Sequence, residues 1–141
     1  MRLSTRSEYG LRALVSLVRR AEETPVPLRV LAQSEDISEQ YLEQIFVELR
    51  RAGLVRSVRG ARGGYRLARK PEEIPVAEVV RLLEGSLAPV DCLEHAEGEG
   101  SCSRQGECVT RKVWEQLQNS IEETLGQMTL ADAASSKPHI V

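Results

Sequence analysis

The stretch from Ile37 to Ala68 constrains the fold most. Ser38 stands just ahead of an apolar stripe made of Leu42, Ile45, Phe46 and Leu49, and a serine there can accept from the free amides of a helix start. Ile37 can pack on Leu42 as a hydrophobic staple. The spacing therefore predicts a helix from Glu39 to Ala52 that stops at Gly53. Leu54 to Val58 and Tyr65 to Ala68 read as two short strands around the turn Arg59-Gly60-Ala61-Arg62-Gly63-Gly64, which makes a hairpin.

Two helices precede this unit. Thr5 and Glu8 match a capping box, and Leu11, Leu14, Val15 and Val18 give the first helix an inward stripe that ends before Thr24-Pro25-Val26-Pro27. Pro27 suits the first turn of a second helix through Ala32, with Leu28 and Leu31 inward. Three helices followed by a hairpin is the order of a winged helix-turn-helix, mainly α with a small β wing. In that arrangement the third helix enters the major groove of double-stranded DNA and the wing reaches the backbone or minor groove. Residues 1–70 are accordingly assigned to DNA binding.

Residues 71–90 form a connection whose helix, Pro75 to Leu83, turns Val76, Val79, Val80 and Leu83 inward and is closed by Gly85. Residues 91–108 form a cysteine loop. Residues 109–128 read as a long amphipathic helix carrying Val113, Trp114, Leu117, Ile121, Leu125 and Met128. That is more apolar surface than a small winged helix covers alone, so a homodimer packed through this helix is expected. Residues 129–141 read as a loose tail without fixed structure.

Charge divides the chain in the same place. The net charge of -2 conceals +6 on residues 1–70, which hold 14 basic and 8 acidic side chains, and -8 on residues 71–141. Arg50 to Lys70 holds eight basic residues and no acid, which suits a polyanion. The surface expected against an operator comprises Ser38, Gln40, Tyr41, Glu43 and Gln44 on the third helix and Ser57, Arg59 and Arg62 on the wing. Gln40 and Gln44 can read adenine edges, and Arg59 and Arg62 can grip phosphates or a narrow minor groove. Tyr41 either touches a phosphate or packs over its helix. Glu43 either accepts from a cytosine amino group or pairs with Arg50 or Arg51 on the protein surface.

All three cysteines lie between Cys92 and Cys108, spaced Cys92-x9-Cys102-x5-Cys108. An odd number argues against a disulfide framework. Thiolates suit zinc or an iron-sulfur cluster, but the tight knuckles usual for structural zinc are absent, and wide spacing wraps a larger cluster more easily. His95 is the nearest imidazole and serves either as a fourth ligand or as an ordinary loop histidine. No phosphate-binding glycine loop or zinc-protease helix motif is present, so an enzyme is not expected. No apolar run approaches the length of a membrane span and no secretory core opens the chain. A cytoplasmic protein with reduced thiols is expected.

The residues Met1-Arg2-Leu3-Ser4-Thr5, Glu8-Tyr9-Gly10 and Ile37-Ser38-Glu39-Gln40-Tyr41-Leu42-Glu43-Gln44-Ile45-Phe46 carry a resemblance, as do Leu49 to Val55 and Ser57-Val58-Arg59-Gly60-Ala61-Arg62-Gly63-Gly64-Tyr65. Over residues 1 to 128 the chain is similar to iron-sulfur-sensing winged-helix repressors of the IscR and NsrR type. The resemblance implies a dimeric repressor of iron-sulfur biogenesis genes whose three cysteines hold a cluster, 2Fe-2S ahead of 4Fe-4S, at the subunit interface. It places Glu43 where IscR-like members discriminate between operators. The pattern departs at Arg111, where IscR-like members carry a histidine, since arginine does not lose its proton and cannot ligate a metal. Some relatives complete the cluster with a carboxylate near the start of the partner's first helix, and Glu8 occupies that region here, ahead of His95 as fourth ligand. The competing reading is a regulator that senses a protein partner, as CymR of the same broad family does, with structural zinc or no metal. A third is a cluster carrier with vestigial DNA binding.

Overall fold

The computed structural model describes residues 2–94 and 109–136. His95, Cys102, Cys108 and His139 lie outside the described residues. The first helix, α1 (Thr5–Arg19), starts one residue earlier than a Thr5 cap would allow: Ser4 is the N-cap residue and its side chain makes no cap bond. The expected capping box is therefore absent, and the Thr5 hydroxyl lies 3.0 Å from the Tyr41 hydroxyl instead. The buried face of α1 is also turned from the expected one. Ser7, Gly10, Ala13, Leu14, Ser16 and Leu17 are buried, while Leu11, Val15 and Val18 are only partly covered. Small residues let other helices come close, which Gly10 shows directly. A Cβ there would overlap Leu83 and sit 3.2 Å from the Ile45 side chain, well inside ordinary packing distance.

Helix α2 (Leu28–Glu35) ends at Asp36 in the left-handed conformation, φ 53°, which aspartate tolerates better than most residues. That turn delivers Ile37, buried as expected, and Ser38, whose side chain accepts from the Tyr41 amide to cap α3 (Glu39–Arg51). Leu42, Ile45, Phe46 and Leu49 of α3 are buried. The wing consists of β1 (Val55–Val58) and β2 (Gly64–Leu67), antiparallel, with Val55 opposite Leu67 and Val58 opposite Gly64. Tyr65 exchanges backbone hydrogen bonds of 2.8 and 2.9 Å with Val26 and meets Phe46 edge to face at 4.9 Å. Gly64 lies so close to the Val26 backbone that no Cβ fits. These interactions fix the wing against the helices, which a bare hairpin of this size needs.

Helix α4 (Val76–Glu84) buries Val76, Val79, Val80 and Leu83 as expected. Val79 and Leu83 join the core that holds Leu14, Leu31 and Phe46, so the connection continues the DNA-binding unit rather than merely following it. On α5 (Arg111–Gln127) no residue is buried. Ile121 and Leu125 pack on Val76, Val80 and Leu87, whereas Val113 and Leu117, nearer the helix start, are 55% and 37% exposed. The helix is thus seated by its C-terminal half.

The chain beyond Met128 corrects the expectation of a loose tail for residues 129–136. They form α6 (Leu130–Ser135), opened by a capping box in which Thr129 and Asp132 bond reciprocally at 3.0 and 3.1 Å. Leu130 is fully buried in the main core. Its amide donates to Ile74, the Val76 amide donates to Met128, and Arg19 donates to the carbonyls of Ala134 and Ser136. One apolar anchor and a cap hold this segment, too little signal for periodicity to detect.

Candidate nucleic-acid interface and cysteine segment

Because α3 buries Leu42, Ile45, Phe46 and Leu49, helical geometry pushes Gln40, Glu43 and Gln44 to the opposite side, and all three are exposed. Ser38 at the helix start and Ser57, Arg59 and Arg62 on the wing are exposed as well. The surface expected for an operator is therefore open at these seven positions. Tyr41 is the exception. It is half-buried, its hydroxyl is engaged with Thr5, and its ring meets Tyr9 edge to face at 5.9 Å. Arg12 lies over the other partner of that pair, 5.6 Å from the Tyr9 ring. In this structure Tyr41 therefore packs over the start of α1.

Glu43 forms no ion pair among the described residues, so pairing with Arg50 or Arg51 is not what holds it. Two helical turns separate it from Arg50, which exceeds the reach of a close pair. Among the described residues the acid of α3 that does pair is Glu48, with Arg6. Within the basic stretch only Arg69 meets a described carboxylate, Glu78 at 2.6 Å. Arg50, Arg51, Arg56, Arg59, Arg62, Arg66 and Lys70 have no ion-pair partner among the described residues and are exposed. Charge left unpaired at the surface is what a phosphate backbone recruits.

Sequence reasoning did not single out two exposed basic residues of the wing. Arg56 sits directly opposite Arg66 in the strand register, on the side away from Tyr65. Counting outward from the glycine turn would have paired them, since strand alternation puts every second residue on one side.

At the other site, Cys92 is half-buried within the short 3-10 turn Asp91–Leu93. Among the described residues no three His, Cys, Asp or Glu side chains gather to hold a metal; two of the three cysteines, and His95, are outside that set. Glu8 is exposed on α1 beside a shallow hollow that Leu3, Ser7, Leu11 and Val80 line. Arg111 is engaged with Glu115 at 2.8 Å. Trp114 is half-buried on α5. Among the described residues no helix is long and apolar enough to cross a membrane.

Residues 3–136 match the sequence profile of the Rrf2 family, described as iron-dependent transcriptional regulators. The chain belongs to the Rrf2 family. Rrf2 members are DNA-binding winged-helix regulators of transcription and not enzymes, in keeping with the exposed helix face and the unpaired basic wing. The chain is 42% identical over 132 residues to the protein rrf2 of Nitratidesulfovibrio vulgaris, spanning 94% of this chain and 86% of that one. Among solved structures it is similar to CymR, the global cysteine regulator of B. subtilis, with a TM-score of 0.81, 37% identity and coverage of 98% and 99% of the two chains. It is also similar to T. potens IscR, with a TM-score of 0.75, 40% identity and coverage of 99% and 94%. The Rrf2 fold thus accommodates both kinds of relative at comparable distance from this chain.

Proposed function

We propose that this Rrf2 regulator is a homodimeric, cytoplasmic repressor that reads iron-sulfur cluster status and controls genes of cluster biogenesis. The observation that carries the reading is the placement of all three cysteines in one segment, Cys92 to Cys108, between α4 of the DNA-binding core and the start of α5. Three thiolates and a wide loop fit an iron-sulfur cluster better than a zinc knuckle. Cys92, Cys102 and Cys108 would hold it, 2Fe-2S ahead of 4Fe-4S, with Glu8 of the partner subunit as fourth ligand and His95 as the next candidate. The exposure of Glu8, whose carboxylate makes no hydrogen bond or ion pair among the described residues, is consistent with that role. When bound, the group would supply a link between loop and helix that responds to iron and oxidation. The dimer reading rests on Val113 and Leu117, exposed apolar residues on the half of α5 that α4 does not cover.

Operator binding on this reading uses Ser38, Gln40, Glu43 and Gln44 in the major groove and Ser57, Arg59 and Arg62 on the wing, with Tyr41 supporting α3 from behind. Cluster state changes DNA affinity only if the two states differ in the arrangement of the paired recognition helices.

A second reading is favoured by the similarity to CymR: a regulator that senses a protein partner, its cysteines holding zinc or nothing. Anaerobic purification with iron, sulfide and zinc measured per chain, followed by operator affinity before and after cluster removal, separates the two. Iron with matching sulfide and a change in affinity supports cluster sensing. Zinc or no metal after anaerobic reconstitution, or equal affinity in both states, overturns it in favour of partner sensing.

A further inference from the structure

The first turn of α1 is bonded to two other helices at once. The Ser4 amide donates to Glu84 Oε1, on the last residue of α4. Two residues on, the Arg6 guanidinium pairs with Glu48 of α3. Thr5 between them shares a hydrogen bond with the hydroxyl of Tyr41, also on α3. Below this polar layer Gly10 lets Leu83 of α4 and Ile45 of α3 close on α1. The three helices therefore meet in tight apolar packing with a set of directed polar bonds on top. Packed surfaces tolerate sliding poorly, and directed bonds fix which position they settle in.

Glu84 is placed to do more than close a helix. Burial pushes its carboxyl up, but the hydrogen bond from the Ser4 amide and the Arg6 charge help to hold it below the usual carboxylate range. It makes no hydrogen bond or ion pair to α3 among the described residues. Yet it borders a hollow of about 220 Å³ whose walls include Leu3, Leu87, Ile121 and Leu125, so α5 reaches it from the other side. Gly85 follows at φ 87°, and the chain then runs on to Cys92 within two turns' length of sequence. Glu84 thus stands where α4, α5 and the approach to the cysteines adjoin the start of α1.

We infer that Glu84 is a positioning residue for operator recognition, which fixes the first turn of α1 through Ser4 and thereby sets, through Arg6–Glu48 and Thr5–Tyr41, the pose of α3. This rests on DNA binding by the family and is independent of cluster sensing. A residue that merely stabilised the fold would weaken all DNA binding together. A positioning residue changes discrimination, because base recognition depends on the pose of α3 while phosphate binding by the flexible basic side chains depends on charge.

The test uses the full chain and a duplex that the wild type enriches from a random-sequence library, beside a scrambled duplex of equal length at the same salt. Glu84→Ala is expected to weaken binding to the enriched duplex by about tenfold, the scale of losing a charge-assisted hydrogen bond, with the scrambled duplex changed by less than about twofold. Glu84→Gln keeps an acceptor for the Ser4 amide and should recover most of the loss. Without DNA, amide hydrogen exchange should quicken at Leu42 to Ile45 in Glu84→Ala, although these residues have no bond to residue 84. Equal losses on both duplexes, no loss at all, or faster exchange confined to Ser4–Ser7 and Glu84–Leu87 overturns the inference. If the wild type enriches no duplex, the DNA-binding assignment fails instead and the exchange measurement still decides the link. Should Glu84→Ala not fold, the exchange of charges in Arg6→Glu with Glu48→Arg replaces it. Each single change should lose discrimination and the double should regain it; a double as poor as the singles overturns the link.

Discussion

Arg56 and Arg66 face one another across the wing, directly opposite in the antiparallel register, and neither pairs with a carboxylate among the described residues. Like charges so placed oppose pairing, by roughly 0.2–1 kcal/mol against a neutral pair. A protein that bound nothing on this side would gain by changing one of them. A phosphate lying between or beside the two guanidinium groups would reverse the sign of the interaction.

Arg66→Glu turns the repulsive pair into an attractive one. The variant is expected to melt slightly above the wild type and to bind DNA more weakly. The dependence of log affinity on log salt should become shallower by about 0.9 for each phosphate the wing no longer neutralises. Anisotropy titrations at several salt concentrations check this. An unchanged slope would remove Arg66 from the phosphate-binding set.

Glu43→Ala is expected to leave that slope the same or steepen it, since a carboxylate beside phosphates only repels. Its effect should fall on sequence choice, relaxing one base position by about 1–3 kcal/mol, the worth of a good base-edge interaction. Selection from a random duplex library with wild type and variant reads the difference. Identical consensus sequences would return Glu43 to the ordinary solvated surface.

Gly10→Ala places a methyl where Leu83 and Ile45 already sit. Overpacking of this kind costs about 1–3 kcal/mol. Urea denaturation is expected to show a lower midpoint with an unchanged slope. A wild-type midpoint would mean that α4 can retreat from α1 freely.

The lowered carboxyl of Glu84 ties stability to pH. A group whose pKa is depressed on folding contributes stability that is fully present above its unfolded value and is lost as the pH falls through its folded value. Arg6 and the Ser4 amide are the groups that hold it down most directly in charge and in hydrogen bonding, and neither titrates in the acid range. Glu84→Gln should therefore be less stable than wild type near neutral pH and converge with it in acid. Denaturation across the acid range checks this, and a constant gap between the two proteins would place the stabilising role elsewhere.

Much of the fold is legible in the sequence where caps and apolar period agree. Ser38, the Leu42 to Leu49 stripe and the glycine turn give α3 and the wing with bounds close to those observed. The inward face of α1 is only partly legible in this way: Leu14 is buried as expected, but the face also takes in Ser7, Gly10 and Ala13, which carry little hydrophobic signal, while the more apolar Leu11, Val15 and Val18 stay partly open. Segment α6 escapes for the same reason, with Leu130 its single fully buried anchor. The Ser4–Glu84 bond joins a backbone amide to a side chain 80 positions away, and no local pattern records it. Residues expected on the DNA face needed only the helix period and the strand register, which is why all but Tyr41 emerge uncovered.

The anchoring of α5 by Ile121 and Leu125 has a mechanical consequence. From Ile121 back to the helix start at Arg111, at about 1.5 Å per residue, the helix forms an arm of about 15 Å beyond its fulcrum, and a tilt of about 10° at the seat sweeps the far end by about 3 Å. Read in reverse, force applied at the cysteine end arrives at the seat beside Glu84 with leverage.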